Sequence, residues 1–227
     1  MTFTLQIDTI KQKVRKGINM KKILCFGDSN TWGHNPVDCS QLERRWTVIL
    51  QEMLPDCEII QDGRCGRATK FDVPDMPDTN GLKTFRERYL QGEKEFDLII
   101  IMLGTNDLLN HFDCSAEETA STLRTYVKEC HEKFGKDKPQ ILLVSPILVR
   151  DYVTQNLIFK DQYDMSAVIK SKSFAQNISA VAQQEGVHFL DASKAAMASS
   201  VDGVHMDYAE HEKLAIAIAA KIKSILF

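Results

Sequence analysis

The chain has 227 residues, a length at which one domain can bury a sizeable hydrophobic core. It holds 28 basic and 31 acidic residues, so its formal net charge at pH 7 is −3, and no basic block stands out. This balance argues against a nucleic-acid partner. No apolar run approaches the roughly 20 residues that span a bilayer, which argues against a membrane partner.

Cysteine usage and the N-terminus favour a cytoplasmic location. The 6 cysteines are spread along the chain without a C-x-x-C pair, and a domain of this size does not need disulfides, so we expect reduced thiols. Residues 1–19 lack the apolar centre of a secretory signal. Their apolar positions have helical spacing, which fits either a short amphipathic helix or a frayed extension. We predict a single domain over residues 20–227 after this extension.

The first half of the chain alternates strand and helix patterns. An apolar run over residues 22–26 predicts a first strand, and an apolar stripe over residues 42–54, ended by a proline, predicts a helix. A second strand is predicted over residues 57–61. Residues 64–80 contain two prolines and favour an irregular loop, and residues 81–91 favour a short helix.

The second half continues the alternation with longer elements. Residues 97–103 are continuously apolar, which is typical of a strand buried on both faces of a parallel sheet. Ser115 and Glu118 have capping-box spacing and predict the start of a helix that reaches residue 134. The remaining predictions are a strand at 140–144, a long connection at 147–163, a helix at 166–185, a strand at 187–190 and a helix at 208–226.

This alternation predicts an α/β protein, a three-layer α/β/α sandwich around a five-stranded parallel sheet. In open sheets of this kind, ligands bind beyond the carboxyl ends of the strands. Polar clusters fall near such positions at residues 27–29, 62–67, 104–107 and 202–205. We therefore expect the functional site where these clusters meet.

The clusters together hold the groups of an activated-serine hydrolase. The hydroxyl of Ser29 becomes a good nucleophile only when a base removes its proton. The imidazole of His205 can serve as that base, and Asp202 on the same loop can orient the imidazole and stabilise its charged form. Backbone N–H groups of Ser29 and Gly66 and the side-chain amide of Asn106 can donate hydrogen bonds to a developing oxyanion.

In these blocks the sequence resembles the SGNH hydrolase superfamily of GDSL-type esterases and lipases. The blocks read G-D-S at residues 27–29, glycine at position 66, G-T-N-D at 104–107 and D-G-V-H at 202–205. The longer matches G-D-S-N-T-W-G, R-R-W at 44–46 and I-I-M-L-G-T-N-D resemble the arylesterase-like branch. The likeness covers nearly everything after residue 20.

The resemblance implies a flavodoxin-like sheet and a specific role for each matching residue. Ser29 would be the nucleophile, His205 the base and Asp202 the supporting acid of a catalytic triad. The oxyanion hole would consist of Ser29, Gly66 and Asn106. Members of the arylesterase-like branch often assemble, so a homo-oligomer is possible.

Two positions depart from the pattern or leave its assignment open. Asn30 stands where a leucine often follows the serine, and we expect no effect on the triad. Gly63 lies close to Gly66, so either glycine could supply the backbone N–H group expected in the oxyanion hole. The Arg67 that follows favours Gly66. Trp32 fits a wall of the acyl pocket or an ordinary core or rim aromatic.

Simpler interpretations apply to the same polar residues. Ser29 could belong to a turn or a helix cap, and Asp202 could cap the final helix. We expect Asp28 and Asp107 to hold loops through backbone N–H groups rather than to act in catalysis. The remaining histidines are expected to be ordinary surface or packing residues: His34, His111, His131, His188 and His211.

Signatures of other enzyme classes are absent from the sequence. It contains no G-x-S-x-G elbow, G-x-G-x-x-G, P-loop or H-E-x-x-H, so neither a metal nor a cofactor is implied. The leading hypothesis is a serine esterase that hydrolyses short-chain acyl or acetyl esters of small molecules through an acyl-enzyme. The alternatives are a carbohydrate deacetylase and, from another class, a non-catalytic small-ligand-binding domain.

Overall fold

Five parallel strands form the centre of the molecule, as predicted. The computed structural model describes residues 20–73, 75–92 and 95–227, so the predicted extension over residues 1–19 lies outside the described residues. The strand order is β2-β1-β3-β4-β5, and every neighbouring pair is parallel. The strands are β1 Lys21–Gly27, β2 Cys57–Gly63, β3 Leu98–Met102, β4 Gln140–Ser145 and β5 His188–Asp191.

Helices cover both faces of this sheet. They are α1 Ser29–Trp32, α2 Trp46–Met53, α3 Gly81–Phe85, α4 Ala116–Phe134, α5 Met165–Ser171, α6 Phe174–Glu185 and α7 Tyr208–Leu226. Alternate residues of a strand point to opposite faces. Leu24 and Phe26 of β1 accordingly join the core under α4 and α6, whereas Ile23 and Cys25 join the core under α2 and α7. The predicted three-layer sandwich is therefore confirmed.

Local sequence signals explain where several elements begin. The Ser115 hydroxyl accepts the Glu118 N–H, and the Glu118 carboxylate accepts the Ser115 N–H, which confirms the capping box of α4. All five residues of β3 are buried, as its unbroken apolar sequence predicts. The final helix is capped by Asp207, whose side chain accepts the N–H of Glu210, and not by Asp202.

Three helices differ from the sequence prediction. The short helix predicted over residues 81–91 is α-helical only over Gly81–Phe85 and continues as a π-helix over Arg86–Leu90. The helix predicted from residue 42 begins only at Trp46, because Arg45 has an extended backbone. The helix predicted over residues 166–185 consists of two helices, α5 and α6. Where α5 ends, the buried Ser171 hydroxyl accepts the N–H of Val149 and ties this end to the long connection. No helix of the described ranges combines the length and apolar character needed to cross a bilayer.

Candidate active site

The carboxyl ends of β1, β2 and β3 meet at one edge of the sheet. Gly27 at the end of β1 pairs with Gly63 of β2 on one side and Met102 of β3 on the other. The chain order reverses across β1, which creates the crevice where open α/β sheets bind ligands. The loops after these three strands therefore converge, as the sequence predicts.

Ser29 is held at this edge by a short helix. Asp28 caps α1 by accepting the N–H of Asn30 over 2.9 Å, and Gly33 ends the helix in a left-handed conformation with φ +89°. Burial raises the pKa of Asp28 to about 6. Asp28 therefore has the structural role expected for it, and Ser29, 4% exposed, is the first residue of the helix.

A chain of hydrogen bonds connects Ser29 to two residues of the loop before α7. The Nε2 atom of His205 lies 2.9 Å from the Ser29 Oγ, and its Nδ1 lies 2.7 Å from Asp202 Oδ2. Both His205 and Asp202 are almost completely buried. This arrangement lets the imidazole take a proton from the serine while the carboxylate holds its other nitrogen.

Asp202 also orders the backbone of its own loop. Its Oδ1 accepts the N–H groups of Val204 at 2.8 Å and of His205 at 2.9 Å. Burial alone would raise the pKa of the Asp202 carboxyl, but the hydrogen bonds from His205 and the backbone outweigh burial and lower it. Asp202 is therefore an acceptor on both oxygens, as an orienting carboxylate must be.

The three residues predicted to supply oxyanion donors lie at one cavity. Ser29, Gly66 and Asn106 line the same cavity as His205. Asn106 sits in a 3₁₀ turn after β3, where its amide donates one N–H to the Arg67 carbonyl at 3.0 Å and its Oδ1 accepts the Tyr163 hydroxyl at 3.2 Å. An asparagine amide has two N–H bonds, so the one not directed at the Arg67 carbonyl can donate to a ligand.

Gly66 rather than Gly63 faces the cavity. Gly66 has φ +79°, a region that favours glycine, and an added Cβ would lie 2.9 Å from Cε of Met76 on the cavity wall. Gly63 instead ends β2, and its Cβ position is only 2.2 Å from the backbone N of Trp32. Gly63 therefore allows β2 to approach α1 closely.

The cavity beside Ser29 is small and mainly apolar. Its volume is about 240 Å³, and its apolar side chains come from several loops: Val73, Met76, Leu109, Ile158, Phe159 and Val204. The connection over residues 147–163 supplies part of this wall, as expected. Trp32 is not among the described residues that line it. A larger cavity of about 530 Å³ lies at the opposite edge of the sheet, near Lys22 and Pro139, away from the four polar clusters.

Arg67 ties the strand ends together, a role that the sequence analysis did not assign. Its guanidinium is 1% exposed and donates to the carbonyls of Gly27 at 2.9 Å and Asp62 at 2.7 Å. It also pairs with Asp62 Oδ1 at 2.9 Å and lies over the Phe26 ring at 4.2 Å. Burial opposes ionisation of Asp62, but the Arg67 charge and the Tyr89 hydroxyl lower its pKa below the usual value. Paired charges of this kind avoid the cost of a lone buried ion.

Asp107 joins the second and third loops, as expected of a structural carboxylate. It is fully buried and accepts hydrogen bonds from the N–H of Thr69, at 2.9 Å, and from the Thr69 hydroxyl. Burial raises the pKa of Asp107 to about 7. These bonds fix the loop that carries Gly66 relative to the turn that carries Asn106.

His34, expected to be an ordinary histidine, lies in the site. Its ring packs against the His205 ring at a centroid distance of 4.0 Å and an interplanar angle of 32°, and burial lowers its pKa to about 4, so it is neutral at pH 7. Ligand atoms of His34, Asp202 and His205 lie within 4.8 Å of one another, as in a metal site. A cation there would have to break a bond of His205 to Asp202 or Ser29, so the geometry favours proton transfer. Only the tertiary packing brings His34 here.

A parallel α/β sheet whose crevice holds a buried serine–histidine–aspartate hydrogen-bond chain has the arrangement expected of a serine hydrolase. The sequence profile of the GDSL-like lipase/acylhydrolase family matches residues 25–212, so the chain belongs to that family, within the SGNH hydrolase superfamily. None of the curated proteins compared matches the chain in sequence.

Solved structures of esterases share this fold over their whole length. The inhibitor-bound aryl esterase of M. smegmatis is 32% identical with a TM-score of 0.82, and the alignment covers 91% of this chain and 100% of that one. A carbohydrate acetylesterase family member from Sinorhizobium meliloti is 28% identical with a TM-score of 0.84, and that alignment covers 91% of this chain and 99% of the other. The chain is thus a carboxylic ester hydrolase.

Proposed function

We propose that the protein hydrolyses small esters through an acyl-enzyme formed on Ser29. The observation that carries this proposal is the hydrogen-bond chain from Ser29 Oγ to His205 Nε2 at 2.9 Å and from His205 Nδ1 to Asp202 at 2.7 Å. With its Nδ1 proton donated to Asp202, His205 has a free lone pair on Nε2 to accept the serine proton. Ser29 Oγ then attacks the ester carbonyl carbon.

In the proposed reaction, the oxyanion accepts hydrogen bonds from the Ser29 and Gly66 N–H groups and the Asn106 amide. His205 returns its proton to the leaving alcohol, which leaves the acyl group bonded to Ser29 Oγ. Water enters, His205 accepts a proton from it, and the resulting hydroxide attacks the acyl carbonyl. Collapse of the second intermediate releases the carboxylic acid and returns the proton to Ser29.

The proposed substrates are short-chain acyl or acetyl esters of aryl or alkyl alcohols. A cavity of about 240 Å³ with apolar walls supports a small apolar ester over a long acyl chain or a many-hydroxyl sugar. Sugar hydroxyls buried against Val73, Leu109 and Phe159 would lose hydrogen bonds to water without gaining partners. The likeness to a carbohydrate acetylesterase family member supports acetylated sugars as the second candidate.

Covalent labelling tests the nucleophile. A fluorophosphonate probe should label the wild type and not Ser29→Ala, and Ser121→Ala, which alters an exposed serine on α4, serves as the matched control. Absence of labelling in the wild type, or equal labelling of Ser29→Ala, contradicts the proposal. Failure to turn over any activated acetate ester would favour a non-catalytic ligand-binding domain.

A substrate panel tests the ester class. Aryl and alkyl acetates of increasing acyl length are compared with acetylated sugars by kcat/KM. We expect aryl acetates to have the highest values and values to fall once the acyl chain outgrows the cavity. Higher kcat/KM for acetylated sugars would select the second candidate instead.

A further inference from the structure

We propose that Asn30 is a positioning residue that holds His205 at the correct distance from Ser29, an inference that rests on the proposed function. Asn30 is 3% exposed. Its Nδ2 donates to the Val204 carbonyl at 3.1 Å, and its Oδ1 accepts the N–H of Met206 at 3.0 Å. From the sequence alone, an asparagine at this position was expected to have no effect on the triad.

These two bonds hold the peptide units on both sides of His205. The Val204 carbonyl belongs to the peptide bond that precedes the His205 Cα, and the Met206 N–H belongs to the one that follows it. A single amide therefore fixes the backbone of the base from both directions. Asn30 directly follows Ser29, and their Cα atoms are about 3.8 Å apart. The two hydrogen bonds of Asn30 therefore also fix the position of the His205 backbone relative to Ser29.

The rings of His34 and Phe159 pack against the His205 ring, but among the described residues Asn30 is the side chain of α1 that hydrogen-bonds to the backbone on both sides of His205. The bonds that Asp202 accepts come from residues at most three positions away, so they shape the loop without fixing its distance from α1. The Ser199 N–H, which donates to the His205 carbonyl, also lies within the loop. The loop contains neither helix nor strand from residue 199 to 207. The loop is also tied to the long connection, where the Arg150 N–H donates to the Gly203 carbonyl at 2.8 Å and Asn156 Nδ2 donates to the Val201 carbonyl at 3.0 Å. Those bonds do not reach α1, whereas the bonds of Asn30 join the loop backbone to α1 itself.

Asn30→Leu removes both bonds and keeps the same number of side-chain heavy atoms in the same branched arrangement. The loosened loop should increase the mean separation of His205 Nε2 and Ser29 Oγ, and a misplacement of this kind lowers kcat by roughly 10- to 100-fold. Asn30 does not line the cavity beside Ser29, so KM should change by less than about threefold. The rate of fluorophosphonate labelling should fall in parallel with kcat.

Gln51 offers a control with the same bonding pattern. Its Nε2 donates to the Cys57 carbonyl at 2.9 Å, and its Oε1 accepts the N–H of Ile59 at 3.0 Å, so it holds the peptide units on both sides of Glu58 in β2. Gln51→Leu should lower Tm with kcat and KM unchanged. Comparison of the two variants separates loss of stability from loss of positioning.

Asn30→Asp provides a pH signature that a merely structural role would not produce. A protonated carboxyl can donate to the Val204 carbonyl and accept from Met206 as the amide does, whereas an ionised one cannot donate. Burial and the neighbouring carboxylates Asp28 and Asp202 oppose its ionisation, and the nearby His205 favours it when charged. The kcat profile of this variant should therefore acquire a basic limb that the wild type lacks.

Kinetics are measured on the full chain, with rates corrected by active-site titration. Asn30→Leu with a wild-type kcat, or a folded Asn30→Asp without the new basic limb, overturns the inference. If Asn30→Leu does not fold, the Asn30→Asp profile decides. A wild type that neither labels nor turns over instead overturns the proposed function, which keeps the two failures distinct.

Discussion

Replacement of Asp202 by asparagine tests the proposed mechanism most directly, because it changes only one of the three hydrogen bonds that the Asp202 carboxylate accepts. In Asp202→Asn, the amide oxygen can keep accepting the N–H groups of Val204 and His205, which Oδ1 of the wild type accepts at 2.8 and 2.9 Å. The amide NH₂ group then takes the place of Oδ2. There it presents a donor to His205 Nδ1, where the carboxylate accepted a hydrogen bond.

This reversal changes the tautomer of the base. With Nδ1 accepting from the amide that the substitution introduces, the proton of neutral His205 moves to Nε2 and points at Ser29 Oγ, 2.9 Å away. The serine hydroxyl then has no acceptor for its proton. We expect kcat to fall by about 10⁴-fold, the size of effect seen for this tautomer error in serine hydrolases, or about 5.5 kcal/mol in activation free energy.

Stability should change far less than activity. Loss of one charge-assisted hydrogen bond lowers the free energy of unfolding by about 2 kcal/mol, which lowers Tm by about 4–8 °C for a domain of this size. Asp202→Ala loses all three hydrogen bonds, so it should be as inactive as Asp202→Asn and have a lower free energy of unfolding. The assay is hydrolysis of an activated aryl acetate together with urea denaturation of each variant. A folded Asp202→Asn with more than a tenth of wild-type kcat would refute the orienting role.

Three further predictions concern the donors and a buried acid. Asn106→Ala should lower kcat by roughly 10²–10³-fold in steady-state assays, and an unchanged rate would remove its amide from the oxyanion hole. Gly66→Ala places an alanine at φ +79° with its Cβ 2.9 Å from Cε of Met76, so the free energy of unfolding measured in urea should fall by about 1–3 kcal/mol. An unchanged free energy of unfolding would contradict this expectation. Burial raises the pKa of Asp107 to about 7, so the folded state favours its protonated form. The stability of the wild type relative to Asp107→Asn should therefore be greatest at low pH and decrease as pH rises from about 4 to 8. If the free energies of unfolding of the two proteins changed in parallel from about pH 4 to 8, the raised pKa of Asp107 would be refuted.

Much of the fold could be predicted from the sequence because its signals are local. The unbroken apolar run of β3 and the capping box of Ser115 and Glu118 depend on residues within a few positions of one another in the chain. Strand and helix alternation then leaves few arrangements other than a parallel sheet covered on both faces. The single helix predicted over residues 166–185 was wrong, since two helices occupy this range, and the hydrogen bond between Ser171 and Val149 at the end of the first one joins it to a segment outside that range.

The composition of the site was also available from the sequence, but its contacts were not. Short blocks containing Ser29, Asn106 and His205 are recognisable because reactive groups follow strand ends, which a parallel sheet brings to one edge. The ring contact of His34 with His205 and the amide contacts of Asn30 join segments more than 170 positions apart in sequence. Such contacts depend on strand order and loop packing, which no local pattern encodes. The sequence by itself determined which groups are present, and the tertiary structure alone decided which side chains hold them in place.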